Sequence, residues 1–239
     1  MREDQEEALI QWLPASTPKP IAPHSHGPVP QKGAGPSQVL PYLFVGPQTT
    51  TEPSVAAAAG ITHIISLGCW PKHNNNTNND NAKGKDGGED AGQRRRITYH
   101  HIGIQDTTSS DLSIAALLVA DIIRNARRHP SLKSGGEEMQ DEERQGVEKE
   151  EGDVKVLVHC MAGISRSPAV LAYYLMRDED MSLRDALGTI ARARPAMRPN
   201  DGFLRQLKDL ELGLRGEETL EKVESLPLGT KERTNLLLG

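Results

Sequence analysis

Apolar and polar positions along the 239 residues alternate between two periods. Four short apolar runs read as strands: Val39 to Val45, Ile61 to Leu67, Ile97 to Ile104 and Val154 to Val158. Pro41 donates no hydrogen bond, which puts the first run at a sheet edge. Between the strands the pattern turns helical. Thr51-Glu52-Pro53 opens a short helix through the alanines 56–59, and Gly60 ends it. Leu112, Ala116, Val119, Ile123 and Ala126 fall on one helical face, with Asp111 or Ser113 as the cap. Ser167-Pro168 begins a helix running through Met176. Ser182 with Asp185 resembles a capping box for a helix over 183–194. Asn200-Asp201 caps a last helix to about Leu214. Strands alternating with helices predict an α/β fold, with a mainly parallel central sheet flanked by helices.

Four stretches carry no such period. Residues 1–36 end in a run rich in Pro, Gly and Ser and are expected to be a disordered lead-in. Residues of about 71–96 are rich in Asn, Gly and charge, and 133–153 hold nine acids against three bases. Both read as long disordered insertions in surface turns of one domain, where loop closure costs little. Residues 215–239 are mostly polar and read as a C-terminal tail. One domain over 37–214 remains, with about 130 residues of core.

Composition narrows the function classes. The net charge is −5, which argues against general nucleic-acid affinity. The acidic run accounts for −6 and each chain end for −1, so the core itself is mildly basic, at +3. Cys69 and Cys160 are the only cysteines, too few for a disulfide framework. No apolar run reaches the length of a membrane span. With no signal-peptide pattern at the N-terminus, a cytoplasmic or nuclear protein is expected.

The chemistry concentrates in His159-Cys160-Met161-Ala162-Gly163-Ile164-Ser165-Arg166-Ser167-Pro168, between a strand and a helix. A tight turn feeding a helix N-terminus gathers inward N–H groups and positive dipole, an anion site. Gly163 permits the backbone angles of such a cradle. Arg166 supplies a planar fork that matches two phosphate oxygens. Cys160 sits at the base, where the same field favours the nucleophilic thiolate.

This segment resembles the phosphatase loop of the cysteine-dependent protein phosphatases, His-Cys-(five residues)-Arg-Ser/Thr, and most of all the small, atypical dual-specificity phosphatases. VLPYLFVG at 39–46, GITHIISL at 60–67 and ARPAMRPNDGFLRQL at 193–207 extend the likeness. The resemblance implies hydrolysis of phosphotyrosine and phosphoserine or phosphothreonine through a cysteinyl-phosphate. Cys160 is then the nucleophile and Arg166 the phosphate fork. The N–H groups of Met161, Ala162, Gly163, Ile164, Ser165 and Arg166 bind the phosphate oxygens. Asp106 is the acid that protonates the leaving group, and Asp111 is a helix cap. Ser167 hydrogen-bonds the thiolate as it leaves the phosphoenzyme or caps the helix. His159 shapes the loop and supports a low thiol pKa, and Asn200 braces the loop or caps the last helix. No metal or other cofactor is expected, because Arg166 and the amides carry the positive charge. The expected partner is a phosphorylated protein, a protein kinase among the candidates. The competing readings are a phosphoinositide, glucan or RNA 5′-phosphate substrate, and a phospho-binding scaffold acting through the insertions.

Overall fold

A computed structural model describes residues 35–69, 97–128 and 154–239. Residues 1–34 of the expected lead-in (1–36) and the whole of both expected insertions lie outside the described residues. Five strands form one sheet: β1 (Ser37–Leu40), β2 (Leu43–Pro47), β3 (His63–Leu67), β4 (Thr98–Ile102) and β5 (Val156–Cys160). Their order is β1-β2-β5-β3-β4, antiparallel at β1–β2 and parallel elsewhere. The mainly parallel sheet is thus as expected.

The apolar run 39–45 is not one edge strand. Proline cannot continue a ladder, so the chain turns at Pro41-Tyr42 and Leu40 pairs with Leu43 across the turn. The Gln38 side chain donates to the Pro41 carbonyl at 3.1 Å. β1 takes the edge, and β2 lies inside the sheet beside β5.

The described residues also hold a 3-10 turn (Gln48–Thr51) and six α-helices: α1 (Pro53–Ala58), α2 (Ser113–Arg128), α3 (Arg166–Asp178), α4 (Leu183–Ala193), α5 (Asp201–Arg215) and α6 (Thr230–Leu238). Strand alternation divides the core in two. Val156 and Val158 of β5, with Ile65 and Leu67 of β3, join the large core that includes α2, α3 and α4. Leu157 and Ile64 point the other way, to Phe44 and Ala56 of α1. α3 is buried from Ser167 to Met176, as befits a helix enclosed on all sides. α2 begins where its cap was expected, with Asp111 Oδ1 accepting from the Ser113 N–H at 2.8 Å.

The stretch 215–239 is no tail. Leu220, Leu226 and Leu237 are buried. Arg233 is also buried and donates to the carbonyls of Pro227, Leu228 and Pro195. Single leucines without a helical period leave no stripe to read in the sequence, yet each finds a place in the core. α5 is therefore not the last helix.

Candidate active site

Parallel strands end together, and the carboxyl ends of β2, β5 and β3 converge on one edge of the sheet. Pro47 pairs with Cys160, and Gly46 and Ser66 flank His159. Alternation along β5 turns Cys160 toward the helix side and His159 toward the opposite face.

The chain leaves β5 at Cys160 and turns through residues 161–165 into α3. Gly163 has φ +64°, and a β-carbon there would lie 2.5 Å from the Gly46 carbonyl. Only glycine fits this contact. Cys160 is 1% exposed, and Ser167 Oγ donates to its Sγ at 3.4 Å. Burial alone would push the thiol pKa up. Donation from the Ser167 hydroxyl and from the N–H groups of Ser167, Ile164 and Gly163 outweighs it, so the pKa lies below the ordinary value. The helix begins at Arg166 with Ser165 at the N-cap, so Ser167 serves the thiol and not the cap.

Arg166 is anchored by one end. Its Nη1 donates to the carbonyls of Leu67 (3.1 Å) and Ile104 (3.5 Å). Its Nε is buried without a hydrogen-bond partner, 3.7 Å from Asp106 Oδ2. A buried guanidinium donor left without a hydrogen bond is costly and suits a site that receives an anion. The anchoring depends on Gly68 (φ +63°), where a β-carbon would collide with Arg166 Nη1 and the Ile104 carbonyl. Nothing in the sequence around Gly68 marks it as a support.

Asp106 hangs over the loop from the segment after β4. Its Oδ1 accepts from Ser165 Oγ (2.6 Å) and Asn200 Nδ2 (2.9 Å). Asn200 also caps α5, its Oδ1 accepting from the Phe203 N–H at 3.0 Å, while its own N–H donates to Ser165 Oγ. Asn200 thus joins the cap of α5 to Ser165 of the loop and to Asp106. His159 Nε2 meets the Ser66 hydroxyl at 2.6 Å, and Nδ1 faces the Cys160 carbonyl at 3.3 Å. A carbonyl only accepts, so Nδ1 carries the proton and Nε2 accepts from Ser66. Burial, with smaller effects from His101 and Arg166, lowers the His159 pKa to about 4, so the ring is neutral near pH 7. A neutral ring brings no positive charge to the thiol. Cys69 is buried too, and burial raises its pKa. Arg194 lies in the segment 193–207 that extends the family likeness but has no expected role there; its Nη2 and Nε donate to the carbonyls of Ala162 and Gly163 at 2.7 and 2.6 Å.

Residues 146–212 match the dual specificity phosphatase catalytic domain. Mouse dual specificity protein phosphatase 13B is 31% identical over 185 residues, which cover 76% of this chain and 75% of that protein. The chain belongs to the dual specificity protein phosphatase family. Human dual specificity protein phosphatase 7 is 35% identical over 191 residues, covering 78% of this chain and 36% of that protein. The chain spans 18% to 43% of the length of the first curated relatives it matches. Among solved structures, the human tyrosine phosphatase-like serine/threonine/tyrosine-interacting protein superposes with a TM-score of 0.53 at 24% identity, covering 75% of this chain and 97% of that one. At that identity the likeness is one of fold. It agrees with the family's sheet and flanking helices.

Proposed function

We propose that this chain is a protein phosphatase that hydrolyses phosphotyrosine and phosphoserine or phosphothreonine through a cysteinyl-phosphate. The observation that carries the reading is a buried thiol of lowered pKa, ringed by the hydroxyl of Ser167 and loop N–H groups, beside an arginine whose buried Nε makes no hydrogen bond. A phosphate dianion docks on the loop N–H groups of 161–166 and on the free edge of Arg166. The Cys160 thiolate attacks phosphorus and the P–O bond to the substrate breaks. Asp106 gives its proton to the departing oxygen. Oδ1 accepts from Ser165 and Asn200 while Oδ2 faces Arg166 Nε at 3.7 Å, so the proton goes on Oδ2 once the docked phosphate takes over that arginine. Water then attacks the phosphocysteine, Asp106 takes one of its protons, and the S–P bond breaks to release inorganic phosphate. Ser167 stabilises the returning thiolate.

Met161 is 56% exposed and Ile164 38%, while the thiol beside them is buried. A cradle opening so near the surface suits short phosphoserine and phosphothreonine side chains as well as phosphotyrosine. Phosphorylated proteins, protein kinases among them, are the substrates this reading assigns.

The test is hydrolysis of a small aryl phosphate with EDTA and reductant present, wild type beside Cys160→Ser, followed by phosphoserine, phosphothreonine and phosphotyrosine peptides. Turnover lost in the variant is expected. Absence of turnover in the wild type on every substrate would overturn the reading and favour a phospho-binding module.

A further inference from the structure

A loop that binds an anion with its backbone must keep its N–H groups aimed inward, and something must hold them there. The peptide unit is planar and trans, so a carbonyl pulled outward turns the next residue's N–H the opposite way. In this loop five consecutive carbonyls have outward partners. The Gln48 N–H donates to the Met161 carbonyl at 3.1 Å. Arg194 Nη2 and Nε donate to Ala162 and Gly163. The Arg198 N–H donates to Ile164 at 2.7 Å, and the Ala169 N–H to Ser165 at 3.0 Å. Four of these donors are backbone or side-chain groups brought from outside α3, and Arg194 supplies two of them.

The two carbonyls that Arg194 holds share their peptide planes with the N–H groups of Gly163 and Ile164. Those are two of the three loop N–H groups that face Cys160 and favour its thiolate. Gly163 is also the residue with left-handed backbone, the least constrained point of the loop. A guanidinium fork suits such a hold, because two N–H groups in one rigid plane fix two successive carbonyls together. The position of Arg194 between the end of α4 and Pro195 is itself fixed, since Arg233 of α6 donates to the Pro195 carbonyl at 2.7 Å.

We infer that Arg194 is a positioning residue for the reaction, holding the Ala162 and Gly163 carbonyls outward so that the Gly163 and Ile164 N–H groups serve the thiolate and the bound phosphate. The inference rests on the phosphatase reading for its purpose, and on the hydrogen bonds for its geometry. Arg194 touches the back of the loop and acts through it. Its loss leaves Cys160, Arg166 and Asp106 in place but lets two peptide planes rotate.

The test measures alkylation of Cys160 by iodoacetamide against pH, with and without inorganic phosphate, in the full chain. Because Cys69 is a second thiol, a Cys69→Ala background isolates the signal. Arg194→Met is expected to move the profile to higher pH by about one unit, which is about tenfold slower alkylation below both pKa values. Protection by phosphate is expected to weaken by about tenfold. Arg192→Met removes a nearby exposed charge and is expected to leave both unchanged. Arg194→Gln, whose shorter side chain lacks the guanidinium fork, decides the matter where Arg194→Met fails to fold. A wild-type profile and wild-type protection in the folded variant would overturn the inference. Neither readout needs turnover. A chain that hydrolyses nothing sinks the phosphatase reading, whereas an unmoved alkylation profile sinks the role of Arg194.

Discussion

Asn200 Nδ2 donates to Asp106 Oδ1 at 2.9 Å, and so ties the N-cap of α5 to the carboxylate over the phosphate loop. The bond turns a helix cap into a hinge pin for the proposed acid. General acid catalysis matters in proportion to how poor the leaving group is, and contributes about 10²–10⁴-fold. Asp106→Asn should therefore cut kcat by about that range on a phosphoserine peptide, and by much less on an activated aryl phosphate. Asn200→Ala should show the same substrate dependence in weaker form, along with about 1 kcal/mol of lost stability from the cap. Steady-state kinetics on both substrates checks this. Equal losses on the two would mean that Asp106 does not protonate the leaving group.

Ser167 offers a separate handle on the second half of the reaction. Its hydroxyl donates to Cys160 Sγ and is free of capping duty. A hydrogen bond to a charged group contributes about 1.5–3 kcal/mol, or about tenfold to hundredfold in rate. Ser167→Ala should slow breakdown of the phosphoenzyme more than its formation. Rapid-mixing experiments should then show one equivalent of aryl alcohol released in a burst, followed by slow turnover. A slow first turnover without a burst would place Ser167 in the attack step instead.

The phosphate loop was legible because its chemistry is local. Cys160, Gly163, Arg166 and Ser167 lie within eight residues, and strand, turn and helix are all readable there. Asp106 needed the family pattern, since nothing near it in sequence announces a partner 94 residues away in Asn200. Other supports were illegible for the same reason. Ser66 finds His159 across 93 residues because both face one side of adjacent strands, a matter of register. Gly68 matters only because Arg166 lies against it. Arg127 has no partner legible nearby in the sequence, yet its guanidinium stacks 3.9 Å from the Tyr42 ring and bonds Glu179. Each role is set by a neighbour that the fold supplies.

His159 predicts a pH dependence of stability. Its folded pKa is lowered to about 4, against about 6.5 when unfolded, chiefly by burial. Between those values the unfolded chain binds the proton and the folded chain does not, so stability is full above pH 6.5 and falls as pH drops toward 4. The gap corresponds to about 3 kcal/mol. His63 and His100, lowered in the same direction by burial, add to the slope in every variant. Urea midpoints measured from pH 7.5 to 4.5 should fall less steeply in His159→Gln than in wild type. Parallel curves would show that the ring is protonated in the fold without cost.

The C-terminal segment yields the sharpest test of the architecture. Leu237 is 3% exposed on α6, where that helix packs on α4. A β-carbon on Gly188 of α4 would sit 3.2 Å from the Leu237 carbonyl and 2.9 Å from Leu238. Leu228, a few residues earlier, is 83% exposed. Truncating a buried leucine removes transfer energy and leaves a cavity, about 2–5 kcal/mol together. Leu237→Ala should lower stability by about that amount, and Leu228→Ala should change it by less than about 0.5 kcal/mol. Because Arg233 of α6 holds Pro195 and Arg198 Nε donates to the Leu226 carbonyl at 2.9 Å, the loss should reach the active site. The Leu237 variant should therefore lose aryl phosphatase activity at a lower temperature than wild type, in step with its unfolding. Equal unfolding midpoints for the two alanine variants would mean that residues 230–238 fold apart from the body.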